Sequence, residues 1–170
     1  MFRLNMPVNI NQKFKNNISQ IQNTGCELCC GINIASFIKQ HVFSFNHFAN
    51  HYNLGENYVE YCWTTPCGVT FGYESLIALS EKETIAKIRK FVEAGPPVAC
   101  HAVGKSKKQH RFVAFAVNDA IGKTWSTSEI MVLVPHNSET DDLIGREVNI
   151  WSAMHASDDI FGIDAIRYPK

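Results

Sequence analysis

The segment that most constrains the fold runs from Gln20 to Phe37, where a polar, turn-prone stretch passes directly into an apolar one. The polar part ends in Gly25-Cys26, and apolar side chains then recur at helical spacing. This pattern predicts a mostly buried helix from Cys26 to about Gln40. Unpaired backbone N–H groups and the positive end of the helix dipole stabilise a thiolate at such a position. Cys26 is therefore a candidate nucleophile.

A short helix is predicted next, with Ser44 as its N-cap, over Phe45 to Tyr52. Residues 74–79 are predicted as one or two helical turns. A longer helix over residues 83–93 has apolar side chains on one face and ends at Gly95, because the following Pro96-Pro97 pair cannot continue it.

The remainder of the chain indicates a sheet. Strands are predicted at Val98–Val103, Arg111–Val117, Ile130–Val134 and Ile163–Tyr168, with a further helix at about Val148 to Met154. Helices come first and an antiparallel sheet follows, so the predicted class is α+β rather than an alternating parallel α/β fold.

Composition narrows the classes of function. The 170 residues are 45% hydrophobic and 19% charged, which predicts a single folded domain over residues 1–170. A formal net charge of zero gives no reason to expect a nucleic acid or a membrane as partner. No apolar stretch approaches the roughly 18 residues of a membrane span. Without a signal peptide, we expect a cytoplasmic protein or one delivered into a target cell by another route.

Cysteine usage is compatible with a reducing compartment. No secretory leader is recognisable, so we expect the cysteines to be reduced rather than paired in disulfides. Two pairs, Cys26-x2-Cys29 and Cys62-x4-Cys67, leave a zinc-binding alternative open, although the second spacing is loose. We expect no cofactor and no metal.

A cysteine nucleophile needs a base that takes the thiol proton and a group that holds this base. Histidine suits the role because its pKa lies near neutral pH. His110 is the best candidate, since it begins a predicted strand directly after a polar turn. His101 lies within the preceding strand and could also face the cleft, although a core or strand-edge role is favoured.

Three motifs follow one another in the chain: Gln20-x5-Cys26, Glu93-Ala-Gly-Pro-Pro-Val98 and His110-Arg-Phe-Val-Ala-Phe-Ala-Val. Their order and spacing over about residues 18–137 resemble the papain-like cysteine peptidases. The outline is most similar to their compact bacterial branch, the peptidases that process bacteriocin leaders and the papain-type effector proteases of pathogens. The resemblance implies a papain-like fold, in which a helical N-terminal part with the cysteine helix packs on a mostly antiparallel sheet.

The same resemblance implies a role for each matched residue. Cys26 is the nucleophile, His110 is the base, and the Gln20 amide donates to the oxyanion together with the backbone N–H of Cys26. The implied reaction is hydrolysis of a peptide bond in a protein or peptide substrate. The effector relatives add the expectation of a toxin acting in a target cell, with a cognate inhibitor or immunity protein as a further partner.

The third catalytic residue departs from the family's pattern. Its acid or amide precedes a proline at the end of the next strand, where this chain has Val134-Pro135. Valine cannot orient a histidine, so Asn137 is the predicted replacement, with Asp119 and Glu129 as alternatives. This departure favours one alternative function, a catalytically inactive papain-like binding module. Two further alternatives stay open: an amidase, a glutamine deamidase or a transglutaminase, which would use the same catalytic residues, and a zinc-stapled structural domain.

Overall fold

The structure, a computed structural model, describes residues 2–7, 25–44, 46–48, 65–104, 109–118, 122–135, 147–156 and 162–170. Its elements in chain order are β1 (Phe2–Arg3), α1 (Gly25–Lys39), β2 (Phe71–Ser75), α2 (Glu81–Glu93), β3 (Val98–Val103), β4 (Gln109–Val117), β5 (Ile130–Leu133), β6 (Glu147–Asn149), α3 (Ile150–Ala156) and β7 (Ile163–Pro169). A single 3₁₀ turn, Trp125–Thr127, precedes β5.

The seven strands form one antiparallel sheet in the order β2-β7-β3-β4-β5-β6, with β1 beside β4. β3 pairs with residues 109–114 of β4, and β1 pairs with residues 116–117. A cysteine-bearing helix followed by a mostly antiparallel sheet confirms the predicted α+β class.

The pairing register assigns side chains to the two faces of the sheet. Arg167 of β7 lies opposite Ala99 of β3, which lies opposite Val113 of β4. These three side chains share one face, and Arg111, two residues before Val113, belongs to it because strand side chains alternate. Tyr168 follows Arg167 directly and therefore lies on the other face.

Helices α1 and α2 cover opposite faces. Glu27 of α1 forms an ion pair with Arg111, so we name that side the α1 face. Phe91 of α2 packs on Tyr168 with 5.1 Å between ring centroids, so the other side is the α2 face. The sheet is thus a middle layer whose core residues are buried on both sides.

Helix α1 is buried along most of its length, from residue 26 to residue 36. A helix that is apolar around its circumference has no solvent side and has to lie inside the protein. It ends where Gln40 adopts a left-handed backbone with φ 49°, and the Gln40 side-chain amide donates to the Phe37 carbonyl at 2.6 Å. The observed bounds agree with the predicted helix.

Two local predictions are wrong, and strand pairing explains both. Residues 74–79 are not helical, because residues 71–75 form β2 against β7 and the chain then turns. The helix predicted from Val148 begins at Ile150, because residues 147–149 pair with β5 as β6. In both places, pairing with a distant segment overrides the local sequence preference.

Other predicted elements are found near their expected bounds. The helix over residues 83–93 begins at Glu81, and Gly95 with φ +124° follows it, as expected of a helix end. Of the short helix after Ser44, residues 46–48 are described and are helical, and the Ser44 hydroxyl accepts from the His47 N–H at 3.2 Å. Within the described ranges, no helix has the length and hydrophobicity that a bilayer span requires.

The N-terminus of α2 is closed by a reciprocal cap. The Ser80 hydroxyl accepts from the Glu83 N–H at 3.2 Å, and the Glu83 carboxylate accepts from the Ser80 N–H at 2.8 Å. Each bond satisfies a backbone donor that an open helix end would leave unpaired.

We expect Ser80→Ala to lower the free energy of unfolding by about 1 kcal/mol, because the alanine cannot accept this bond. Urea denaturation followed by circular dichroism measures the change. Ser80→Asp is the matched control, since its carboxylate restores an acceptor and keeps most of the stability. Equal stability of Ser80→Ala and the wild type would contradict the role of the cap.

Candidate active site at the start of α1

Cys26 is the second residue of α1 and is 7% exposed. Burial raises the pKa of its thiol, while the positive charge of Arg111 and the backbone N–H groups of Glu27 and Cys26 act in the opposite direction. Burial dominates and the pKa is about 11. The sequence predicted a helix start that stabilises a thiolate. The stabilising groups are present, but the thiol is protonated at neutral pH, so attack on a carbonyl requires a base.

The ion pair between Glu27 and Arg111 lies beside Cys26. Both side chains are almost completely buried, and the Arg111 guanidinium also donates to the His110 carbonyl at 3.2 Å. Burial raises the pKa of Glu27, and the positive charges of Arg111 and Arg167 counteract this rise. The second oxygen of the Glu27 carboxylate has no hydrogen-bond partner among the described residues.

His110 lies in β4, directly before Arg111, and its side chain is 3% exposed. It faces Ala102 across the β3–β4 pair. Because neighbouring side chains in a strand point to opposite sides, His110 belongs to the α2 face, whereas Arg111 contacts α1. The role of His110 as base for Cys26 stays a prediction.

The structure brings together a histidine and a carboxylate that the sequence did not connect. Nδ1 of His101 in β3 is hydrogen-bonded to the Asp164 carboxylate in β7, 63 residues away. His101 lies opposite Arg111 in the β3–β4 register, and therefore on the α1 face. Only the order of strands in the sheet makes these residues neighbours, so no motif in the sequence signals the pair.

The proposed third residues have different outcomes. Val134 follows β5 and is buried, so the position of the family's acid holds an apolar side chain. The Glu129 carboxylate accepts from the Asn118 side-chain amide, and the Glu129 backbone carbonyl accepts from the Asn118 N–H at 3.3 Å. Asn118 is eight residues beyond His110, which is about 26 Å along an extended strand. Because Glu129 is bonded to Asn118, it lies too far from His110 to orient that ring, and this prediction is wrong. The predictions for Gln20, Asn137 and Asp119 lie outside the described residues.

The other cysteines are less suited to nucleophilic attack. Cys29 and Cys30 have no exposed surface, and burial raises the pKa of Cys30 well above its usual range. None of the five described cysteines is in a disulfide, and Cys62 lies outside the described part of the chain. The described residues contain no group of three or more histidine, cysteine, aspartate and glutamate side chains that could hold a metal ion.

Comparison with known proteins finds a likeness at the level of structure. No protein-family model matches the chain, and no curated protein matches it. Among solved structures, UfSP from C. elegans superposes with a TM-score of 0.53 at 18% identity, over 99% of this chain and 34% of UfSP. The chain thus spans about a third of the length of UfSP. UfSP is a cysteine protease of the papain-like fold, so the likeness shows a papain-like fold for this chain but gives no support to the compact bacterial branch.

A pH series of iodoacetamide alkylation, read out by mass spectrometry of the Cys26 peptide, tests the state of the thiol. We expect the rate at Cys26 to rise about tenfold per pH unit through pH 9 and to reach half of its maximum only near pH 11, because only the thiolate reacts and burial disfavours it. Cys26→Ala controls the assignment of the labelled peptide. A rate that is already constant below pH 7 would show a resting thiolate and contradict this prediction.

Paired substitutions test how Glu27 and Arg111 depend on each other. We expect Arg111→Met to lower the free energy of unfolding by about 3–5 kcal/mol, because it leaves the Glu27 carboxylate buried without its counter-charge. The double variant Glu27→Gln/Arg111→Met removes both charges and should lose less stability than Arg111→Met alone. Urea denaturation of the wild type and the variants measures the coupling energy. A double variant less stable than Arg111→Met would contradict the ion pair.

Proposed function

We propose that this protein is a cysteine peptidase in which Cys26 attacks the carbonyl of a peptide bond. The observation that carries the proposal is the position of Cys26, at the start of the buried helix of a papain-like fold. Backbone N–H groups at the helix start and the positive charge of Arg111 favour a thiolate at Cys26, and the neighbouring Glu27 carboxylate opposes it. The raised pKa of the thiol fits a mechanism in which a base removes the proton during attack.

The remaining roles are proposed on the resemblance of the sequence. On the sequence motif alone, His110 would take the thiol proton and Asn137 would orient that histidine. The side-chain amide of Gln20 and the backbone N–H of Cys26 donate to the tetrahedral oxyanion. The histidine returns the proton to the leaving amine, and water then hydrolyses the thioester.

The biological setting is proposed on the same basis. The substrate is a protein or a peptide, and the protein acts as an effector or toxin after delivery into a target cell. A cognate inhibitor or immunity protein protects the producing cell. The resemblance to papain-type effector proteases supports this setting.

A second candidate function is a catalytically inactive papain-like binding module. Two observations favour it: the pKa of Cys26 near 11, and a valine, Val134, where relatives carry an acid. Amidases, glutamine deamidases and transglutaminases share the cysteine chemistry of a peptidase and differ in the leaving group or the acceptor. These enzymes and a peptidase can be distinguished by the products they form.

The proposal predicts cleavage that depends on Cys26. We expect a cell extract incubated with the wild type to gain new protein N-termini, which mass spectrometry detects after labelling of free amines. Cys26→Ala should give none, because it removes the nucleophile, whereas Cys67→Ala, which changes another described cysteine, should give the same N-termini as the wild type.

Three outcomes would contradict the peptidase. Conversion of glutamine to glutamate without chain cleavage, dependent on Cys26, would identify a deamidase. New N-termini that also occur with Cys26→Ala would come from another enzyme, and extracts without Cys26-dependent change would favour the binding module.

A further inference from the structure

We propose that His101, held by Asp164, is the base that serves Cys26, in place of His110. The inference rests on the proposed role of Cys26 as nucleophile and names the groups that activate it. It follows from three independent features of the sheet: the face on which each histidine lies, the hydrogen bonding of the His101 ring, and the local irregularity that positions Asp164.

The first feature is the face of the sheet. Arg111 contacts Glu27, the residue next to Cys26, and its charge reaches the Cys26 thiol. His101 is the direct neighbour of Arg111 across the β3–β4 pair, and opposite residues in antiparallel strands have Cβ atoms about 5 Å apart. His101 therefore lies on the same face of the sheet as Arg111 and directly beside it, and Arg111 is bonded to the neighbour of Cys26. His110 points to the α2 face.

The second feature is the state of the imidazole. The Asp164 carboxylate accepts from Nδ1–H of His101, which leaves Nε2 as the proton acceptor in the neutral ring. Nε2 is buried and has no hydrogen-bond partner among the described residues. A ring nitrogen that accepts no hydrogen bond from the described residues is available to take a proton.

The third feature is a bulge that brings Asp164 to the histidine. His101 lies opposite Ala165, and the next residue of β3, Ala102, lies opposite Ile163, so Asp164 is an extra residue in β7. In a regular strand the Asp164 side chain would point away from the face of Ala165. The bulge turns it toward His101, and bulges of this kind occur next to active sites.

The charges around the pair fit this role. Burial raises the pKa of Asp164, and the positive charge of Arg111 on β4 counteracts the rise. The guanidinium is itself balanced by Glu27 on α1, and Arg167 of β7 contributes a further positive charge near Glu27. An ionised Asp164 stabilises the imidazolium that forms when His101 accepts a proton.

The proton balance is complete with these groups and water. Nε2 of His101 takes the proton from the Cys26 thiol as sulfur bonds to the substrate carbonyl carbon. The imidazolium gives this proton to the leaving amine, and the C–N bond breaks to leave a thioester. His101 then takes a proton from a water molecule as the water oxygen attacks the thioester. The C–S bond breaks, and the proton returns to sulfur, while Asp164 stays ionised throughout.

Histidine side-chain NMR tests the inference without any substrate. With the four variants Cys26→Ser, Asp164→Asn, His101→Gln and His110→Gln, the ring signals are assigned and titrated. We expect Cys26→Ser to shift the His101 signals more than those of His110. Asp164→Asn should lower the pKa of His101, because the carboxylate favours the charged ring. Shifts at His110 that equal or exceed those at His101 would overturn the inference.

Activity provides the second arm, on a substrate that the wild type cleaves and Cys26→Ala does not. We expect His101→Gln to lower kcat/KM by about 10²–10⁴-fold, which is the usual contribution of a general base. Asp164→Asn should move the acidic limb of the pH profile to lower pH, and His155→Gln, at an exposed histidine of α3, should keep the wild-type rate.

A larger loss with His110→Gln than with His101→Gln would overturn the inference. If no substrate is found that the wild type cleaves and Cys26→Ala does not, the peptidase proposal fails, and the NMR shifts still decide which histidine lies beside Cys26.

Discussion

The buried ion pair between Glu27 and Arg111 is the interaction on which the site depends. It joins the first turn of α1 to β4, so the nucleophile candidate is attached to the sheet through its neighbour in sequence. Two opposite charges removed from water are stable only if they stay together, which makes the pair a strict constraint on the position of the helix. It also sets the electrostatic surroundings of Cys26, because the same guanidinium opposes the effect of burial on the thiol.

Strand alternation carries this constraint across the sheet. Once Arg111 is fixed on the α1 face, the register assigns His101 to that face and His110 to the other. The bulge in β7 then adds Asp164 to the same side. A candidate nucleophile on α1, a histidine and a carboxylate, from three distant parts of the chain, thus lie on one side of a papain-like sheet, as the proposed cysteine chemistry requires.

The sequence predicts what depends on local pattern and misses what depends on register. The Cys26 helix, the helix ending at Gly95 and the strands around His110 follow from periodicity and from breakers, and all are present. β2 and β6 were missed because pairing with β7 and β5 decides their conformation. The pair of His101 and Asp164 was missed for the same reason: its partners are 63 residues apart and meet only through strand order and a bulge. The sequence does not reveal the raised pKa of Cys26, because burial is a property of the whole fold.

The proposed function requires that Cys26 form a covalent bond to its substrate. The most direct measurement is acid quenching of a cleavage reaction before it is complete, followed by intact-mass analysis and peptide mapping of the protein. We expect an acyl group on the Cys26 peptide, with the mass of the N-terminal product less one water, and no such adduct in Cys26→Ala. An acyl group on another residue, or Cys26-independent cleavage without any adduct, would contradict it.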